Sequence, residues 1–310
     1  MEKDIKERVI DFANTIPNAV CVKAYGSSIA YQEGYSANEK KQVDLIVVVD
    51  DIKTFYNDNM KKNSYMYNLT PKIYFTIAKE KSLRKHASIC YTTHINYGCD
   101  TYKMGVIEKK DVLDDLLNWK TFYIAGRFQK EMFTAIKDDD IEKANILNKR
   151  NALVVSLLLL DKDKNTLSDL YETLCSLSYK GDTRKMVKAE DPNKVKKLAK
   201  GSKDFFDKEY KDKTTLFKVT DDEKLLIDYD KVYSYIKALP TNLANSLNNV
   251  IEQKLPKDLE RQKIKDEINK YLVKIIKSSS LGQTTKGILT TGPVNSISYV
   301  FEKIKKGRKK

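Results

Sequence analysis

The chain of 310 residues lacks the features that mark several protein classes. Its longest apolar run, residues 152–160, is far shorter than the roughly 20 residues that a membrane-spanning helix needs. The N-terminal residues carry acidic side chains and form no apolar segment, so neither a signal peptide nor a mitochondrial presequence is expected. The cysteines form no C-x-x-C pair and have no histidine at zinc-like spacing, which predicts free thiols in a reducing compartment. Together these absences predict a cytoplasmic protein.

Motifs of common nucleotide-binding and catalytic folds are also missing. The sequence contains neither G-x-x-x-x-G-K-[ST] nor G-x-G-x-x-G, so it signals no P-loop and no dinucleotide-binding fold. The two histidines, His86 and His94, have no nucleophile at a telling spacing. These gaps argue against a Cys/His catalyst.

Positive charge is abundant: 57 Lys and Arg residues against 43 Asp and Glu residues give a formal net charge of +14. Such a balance favours an anionic partner, which could be nucleic acid, an acidic membrane or a phosphorylated substrate, although it can also serve solubility alone. Aromatic residues are not interleaved with the basic clusters, as a base-stacking platform requires. No nucleic acid is therefore expected, and a nucleic-acid-binding protein is kept as the rival hypothesis.

Hydrophobic periodicity predicts an α/β first half and a mainly helical second half. In the first half it predicts helices at 5–17, 51–62 and 109–118 and strands at 20–25, 43–49, 72–75 and 102–107. The unbroken Val/Ile run at 43–49 indicates burial on both faces of a sheet. Further on, the pattern predicts a β-hairpin within 216–229 and helices at 140–160, 166–178, 191–210 and 256–278. We expect domains at 1–125 and 126–285, followed by a basic segment at 286–310.

A Gly-Ser turn followed by an acidic strand is the most informative chemical signal. Gly26, Ser27 and Ser28 follow the first strand, and Asp44 lies at the start of the strand at 43–49. Glycine lets the backbone approach phosphates, while serine hydroxyls and free N–H groups can bind an anion. An aspartate nearby can hold Mg²⁺, which prefers carboxylate and phosphate oxygens. On the pattern alone, a purely structural turn and a strand-entry aspartate are the more common explanation.

The metal site that this signal implies is incomplete. Nucleotidyltransferases of the polymerase-β type carry two carboxylates at i and i+2 of one strand, which point to the same face and hold Mg²⁺. Only Asp44 is present here, because Gln42 and Ile46 occupy the positions two residues away. Asp50 lies roughly 20 Å further along an extended strand. The other candidate ligands are Glu33, Glu39, Glu108 and Asp182.

Cationic residues near the expected domain boundary could clamp phosphate. Arg127 and Lys130 lie in the segment A-G-R-F-Q-K, although ordinary surface cations are an equal alternative in so basic a chain. The segment 178–184 combines a turn glycine with Asp182 and an arginine. It is either a functional loop or a simple helix stop.

The C-terminal segment has an apolar stripe and a basic end. Ile297, Val300, Phe301 and Ile304 fall on one helical face, and the last eight residues carry six positive charges. A helix lying on an anionic bilayer needs this combination. The alternative is a helix docked on the core with a frayed basic tail.

Several short motifs follow one another in order across residues 24–290. They are Y-G-S-S from Tyr25, Q-V-D-L-I from Gln42, Y-K-M-G-V-I from Tyr102, L-S-Y-K-G-D from Leu177 and Q-T-T-K-G-I-L-T from Gln283. Together they resemble the mitochondrial-type CDP-diacylglycerol synthases, also called translocator assembly and maintenance proteins. The chain departs from the family pattern at Ser28, where the family has glycine, and at Met66, where it has histidine, so no role of that histidine is carried over. Without a presequence, we expect a bacterial-type relative.

The resemblance implies a phosphatidate cytidylyltransferase, which converts CTP and phosphatidic acid to CDP-diacylglycerol and pyrophosphate with Mg²⁺. It also implies a polymerase-β-like α/β domain, a mainly helical second domain and an amphipathic C-terminal helix on the membrane. Catalysis in such an enzyme is positioning and charge neutralisation. The implied site places the triphosphate on Tyr25, Gly26, Ser27 and Ser28, the metal on Asp44 and phosphate contacts on Lys103, Arg127 and Lys130, with Asp182 and Lys286 as a weaker pair. A nucleotidyltransferase with a tRNA, protein or small-molecule acceptor stays open.

Overall fold

A five-stranded mixed sheet lies at the centre of the first half of the chain. The computed structural model describes residues 4–29, 42–67, 87–161, 165–181 and 193–291, with side chains up to residue 280. The strands are β1 (Ala19–Tyr25), β2 (Val43–Val49), β3 (Cys90–Tyr97), β4 (Asp100–Glu108), β5 (Phe133–Ile136), β6 (Phe217–Val219) and β7 (Leu225–Ile227). The sheet order is β3-β4-β2-β1-β5, in which β2 and β4 are parallel and the other neighbours antiparallel. The expected α/β class is confirmed.

Helices flank this sheet and make up most of the second half. They are α1 (Ile5–Thr15), α2 (Ile52–Lys62), α3 (Lys109–Asn118), α4 (Ala125–Phe128), α5 (Asp139–Leu159), α6 (Leu167–Ser176), α7 (Lys194–Gly201), α8 (Lys203–Phe206), α9 (Tyr229–Ser234), α10 (Thr241–Ile251) and α11 (Lys257–Thr291). The predicted hairpin within 216–229 is confirmed as the antiparallel pair of β6 and β7.

The central strand β2 is apolar on both faces, as its sequence predicts. Leu45 and Val47 are buried on the face that α1 and α2 cover, where they share a core with Phe12. On the opposite face, Ile46 and Val48 belong to the core formed with the helical half. Because the middle of the strand is fully buried, polar chemistry is confined to the ends of the sheet.

The sequence analysis did not predict β3, β5 or α10. In β3 the pairing register with β4 shifts between Thr92 and Ile95, and His94 has a φ of 59°. This irregularity breaks the period-two alternation that reveals a strand. β5 has only four residues, all partly buried. It pairs with β1 although it follows residue 125, the expected end of the first domain. The domain boundaries remain a prediction.

Two asparagines four residues apart, Asn59 and Asn63, form an N-x-x-x-N motif that holds the end of α2. The side-chain amide of Asn63 donates to Asn59 Oδ1 at 2.7 Å and to the carbonyl oxygen of Thr15 at 2.9 Å. Asn59 donates to the hydroxyl of Tyr67 at 2.5 Å. Both asparagines are buried, so this motif joins α2 to the end of α1.

In the helical half, the prediction of a single helix at 191–210 is wrong. The chain forms α7 and α8 on either side of Ser202, followed by a π-helical turn at Asp207–Lys211. Gly201 and Ser202 are poor helix-interior residues, and the buried Ser202 hydroxyl lies 3.1 Å from Glu131 Oε2. The helix expected at 256–278 is longer than predicted, since α11 continues to Thr291.

Some predictions fall outside the described residues. These are the strand at 72–75 and the amphipathic stripe within 292–310. Among the helices that the structure describes, none combines the length and apolarity needed to cross a bilayer.

Candidate active site

One row of side chains crosses three strands at the end of the sheet where β2 begins. Tyr25, at the end of β1, pairs with Asp44, and Asp44 pairs with Lys103 of β4. Residues in register on neighbouring strands project to the same face, so these three side chains lie side by side. Lys103 Nζ is 3.3 Å from Asp44 Oδ1, and the side chains are 26% and 30% exposed. The structure therefore brings three of the predicted site residues together.

The predicted Gly-Ser turn lies directly beside Asp44. Gly26 has a φ of +87°, and a Cβ at this position would lie 3.2 Å from Asp44 Oδ2. The carbonyl oxygen of Gly26 accepts a hydrogen bond from the N–H of Ile29 at 3.1 Å, which closes the turn. The hydroxyl oxygen of Ser28 is buried and has no hydrogen-bond partner among the described residues. A glycine turn beside a carboxylate and an unsatisfied hydroxyl can accept a polar ligand.

Arg127 extends the site toward the helical half. The residue lies on α4, and its guanidinium carbon is 3.7 Å from the ring centroid of Tyr123 and 5.7 Å from that of Tyr25. Arg127 Nη1 also donates to the carbonyl oxygen of Tyr123 at 2.5 Å. Stacking on the Tyr123 ring and the hydrogen bond to its carbonyl oxygen restrict the orientation of the guanidinium. A planar cation held in this way is suited to bind phosphate.

A buried carboxylate that the sequence analysis missed holds the turn before α4. Asp115, at 2% exposure, accepts backbone N–H bonds from four residues of this turn. The donors are Thr121 at 2.6 Å, Phe122 at 2.8 Å, Ile124 at 2.8 Å and Ala125 at 3.0 Å. Because α4 follows directly, Asp115 fixes where the segment carrying Arg127 begins.

Lys130 lies against the segment that contains the L-S-Y-K-G-D motif. Its Nζ is 2.6 Å from Ser178 Oγ and 4.7 Å from the ring centroid of Tyr179. A Cβ on Gly126 would lie 2.6 Å from the Cβ of Ser178, so only glycine permits this close approach. The structure thus places two motifs that are distant in sequence next to each other.

Three tyrosines lie between Lys103 and Arg127, and their hydroxyls contact one another. The hydroxyl of Tyr91 is 3.2 Å from that of Tyr25, and it accepts a hydrogen bond of 3.2 Å from Tyr123. Burial raises the pKa of Tyr25 and Tyr91 above the ordinary value, so both are neutral phenols at physiological pH. Tyr91 and Tyr123 were missed by the sequence analysis; Gly105, which lies opposite Tyr91 in the Y-K-M-G-V-I motif, was the available signal.

A metal site at Asp44 needs partners from elsewhere. No group of three or more His, Cys, Asp or Glu side chains suited to a metal is found among the described residues. Glu108 pairs with Val49 at the opposite end of β2, about 16 Å from Asp44 at 3.3 Å per residue. Its carboxylate instead contacts the N–H of Ile52 at 3.4 Å, so this candidate ligand is wrong. The candidates Glu33, Glu39 and Asp182, and the side chain of Lys286, lie outside the described residues.

Comparison with known proteins finds relatives along almost the whole chain. The model of the family described as "Phosphatidate cytidylyltransferase, mitochondrial" matches residues 7–306. A protein of that name from Schizosaccharomyces pombe is 32% identical over 340 aligned residues, covering 99% of this chain and 85% of the relative. Those from Caenorhabditis elegans and Mus musculus are 31% and 29% identical over 91% of this chain, and 92% and 89% of their own lengths. The expected bacterial-type relationship remains an untested prediction.

Proposed function

The chain belongs to the family of mitochondrial phosphatidate cytidylyltransferases, and we propose that it catalyses the reaction for which the family is named. CTP and phosphatidic acid are the substrates, and CDP-diacylglycerol and pyrophosphate are the products. The observation that carries the proposal is the meeting of the Gly26 turn, Asp44, Lys103 and Arg127 in one site. This site combines anion-binding groups with a partly exposed carboxylate, as transfer of a nucleotide requires.

The turn after β1 would bind the triphosphate of CTP. Gly26 has no side chain to keep a phosphate away from the backbone, and the Ser28 hydroxyl would gain the partner that it lacks among the described residues. A phosphate oxygen of phosphatidic acid attacks the α-phosphorus of CTP, the bond to the bridging oxygen of the β-phosphate breaks, and pyrophosphate leaves. Binding both substrates next to each other lowers the entropic cost of this encounter.

Lys103 and Arg127 would neutralise the charge that builds up on the phosphoryl oxygens. Lys103 lies on the sheet and Arg127 on α4, so the two cations would contact a bound ligand from different sides. Lys130, beside Ser178, supplies a further positive charge for a phosphate of CTP or lipid. Fixed charges of this kind stabilise a transition state without reorganising water.

Cytidylyltransferases generally use a divalent metal, and we propose Mg²⁺ held by Asp44. The residues present fit this ion, because Asp44 Oδ2 faces the space that a Cβ at Gly26 would fill. Mg²⁺ commonly takes one or two carboxylates together with substrate phosphates, so one protein ligand is compatible with binding. When bound, the ion adds Lewis-acid polarisation of the phosphates. Asp182 and Lys286 are proposed as a weaker supporting pair.

We also propose that β1–β4 form the core of a polymerase-β-like nucleotidyltransferase domain at 1–125, followed by a helical domain at 126–285 whose strand β5 joins the same sheet. The Gly-Ser turn after β1 and the aspartate at the start of β2 support this arrangement.

The segment 286–310 is proposed to bind an anionic membrane surface, where phosphatidic acid resides. Its six basic residues at the end favour such a surface by about 1 kcal/mol each when they lie close to it. The protein would then be peripheral to the membrane, and its cytoplasmic placement remains a prediction.

Vesicle flotation tests the membrane proposal. Removing residues 293–310 is expected to lower binding to vesicles that contain phosphatidic acid by at least about tenfold, because the basic end is lost. CTP affinity, measured by calorimetry, should stay within about twofold, since the described site residues are untouched. Vesicles of neutral lipid serve as the control. Equal flotation of both forms would contradict the proposal.

Product analysis with labelled CTP tests the reaction itself. The full-length protein with Mg²⁺, labelled CTP and phosphatidic acid should yield labelled CDP-diacylglycerol and pyrophosphate, because the lipid phosphate is proposed to attack the α-phosphorus of CTP. A parallel panel replaces phosphatidic acid with tRNA, a protein or a small alcohol. Label in one of these acceptors and none in lipid would reject the proposal in favour of another nucleotidyltransferase. RNA binding that weakens with salt, without CTP turnover, would favour the nucleic-acid rival.

A further inference from the structure

The ring of Tyr91 lies against β4 in a slot that Gly105 leaves open. The two residues pair on neighbouring strands. A Cβ on Gly105 would lie 2.6 Å from Tyr91 Cε1 and also 2.6 Å from Ile89 Cδ1, distances that no side chain tolerates. Gly105 is therefore needed here for space, and its absence of a side chain lets Tyr91 reach beyond its own strand.

From this slot Tyr91 contacts Lys103 directly and also contacts the two tyrosines that lie beside Arg127. Its ring centroid is 4.5 Å from Lys103 Nζ, a cation–π contact that directs the ammonium group. Its hydroxyl joins those of Tyr25 and Tyr123, the two rings against which Arg127 lies. One side chain thus links the position of Lys103 on the sheet to that of Arg127 on α4.

We propose that Tyr91 is a positioning residue, which sets Lys103 through its ring and Arg127 through its hydroxyl. This inference rests on the proposed function, in which both cations contact phosphate. Tyr91 reaches the proposed nucleotide site through Lys103 and through the Tyr25 hydroxyl, and the Tyr25 ring also lies beside Arg127.

The Tyr91→Phe variant separates the effect on Lys103 from the effect on Arg127, because it keeps the ring beside Lys103 and removes only the hydroxyl. We expect kcat to fall about tenfold with KM for CTP nearly unchanged, since two hydrogen bonds of ordinary strength are lost. In an Arg127→Lys background, where the planar stacked cation is already gone, the same substitution should cost less than about twofold. A merely structural Tyr91 would give the same factor in both backgrounds.

The matched control is Tyr171→Phe, which also removes a buried hydroxyl, one that donates to Asp207 at 2.5 Å in the helical half. It should change kcat by less than about twofold even if it lowers the melting temperature as much as Tyr91→Phe does. Equal losses in both backgrounds, or none in either, would overturn the role of Tyr91. Absence of lipid product from the unmodified protein would instead overturn the proposed function.

Discussion

Asp44 and Asp115 are both carboxylates at the edge of the site, yet their surroundings are opposite. Asp44 is 30% exposed, and its ion pair with Lys103 is long, at 3.3 Å. Asp115 is 2% exposed and accepts backbone N–H bonds from four residues. The first carboxylate has capacity left for a ligand, whereas the second is satisfied by the protein itself.

Two lysines of the same sheet, on strands separated by β2, repeat the contrast. Lys23, in β1, is 4% exposed; it donates to Thr134 at 2.8 Å and to Glu142, and it lies over the ring of Phe128. Lys103 is 26% exposed at the open end of the sheet. The buried Lys23 and Asp115 therefore hold the fold, whereas the partly exposed Asp44 and Lys103 form the candidate site.

The largest expected effect is that of Asp44→Asn on activity. The change removes negative charge where the metal and triphosphate are proposed to bind, so formation of CDP-diacylglycerol should fall by at least about 100-fold. The melting temperature should hardly move, because a partly exposed ion pair contributes about 0–1 kcal/mol. Radiolabelled product and a thermal melt measure the two quantities. Asp50→Asn, an exposed aspartate next to the far end of β2, is the matched control. Full activity of Asp44→Asn would contradict the proposal that Asp44, unlike Asp115, serves ligand binding.

Much of the fold could be predicted from the sequence where a pattern was long and regular. The strands β1, β2 and β4 and the helix α5 were found because each has an extended apolar pattern. The strand β3 was missed because its bulge breaks the alternation. Short elements such as the four-residue β5 carry too few residues for any period to appear.

The candidate site divides in the same way. The Gly-Ser turn, Asp44 and Lys103 were predicted because they are neighbours in local motifs, and the strand pairing brings them together. Tyr91 and Asp115 act through contacts with residues that local spacing does not reveal, since a tyrosine on a polar strand or an acid inside an amphipathic helix is ordinary. Gly105 was visible in a motif, but which side chain filled its space required the structure.

A smaller effect, on stability, is expected for Asp115→Asn. One oxygen of the carboxylate becomes an NH₂ group, so two buried backbone donors of the turn lose their acceptor. Each unsatisfied donor costs about 1–3 kcal/mol, and the free energy of unfolding should fall by about 3 kcal/mol. Urea denaturation measures this quantity, with an unchanged slope as the sign that the unfolding transition is the same.

Asp114→Asn is the matched control, because Asp114 precedes Asp115 on α3 and its carboxylate is at 36% exposure. It contacts Asn118 at 2.9 Å and Lys120 at 2.7 Å near the surface, so its loss should cost less than about 1 kcal/mol. Equal stability losses for the two variants would contradict a special structural role for Asp115. If Asp115→Asn instead lost product formation as completely as Asp44→Asn at unchanged stability, the division between structural and functional carboxylates would itself be wrong.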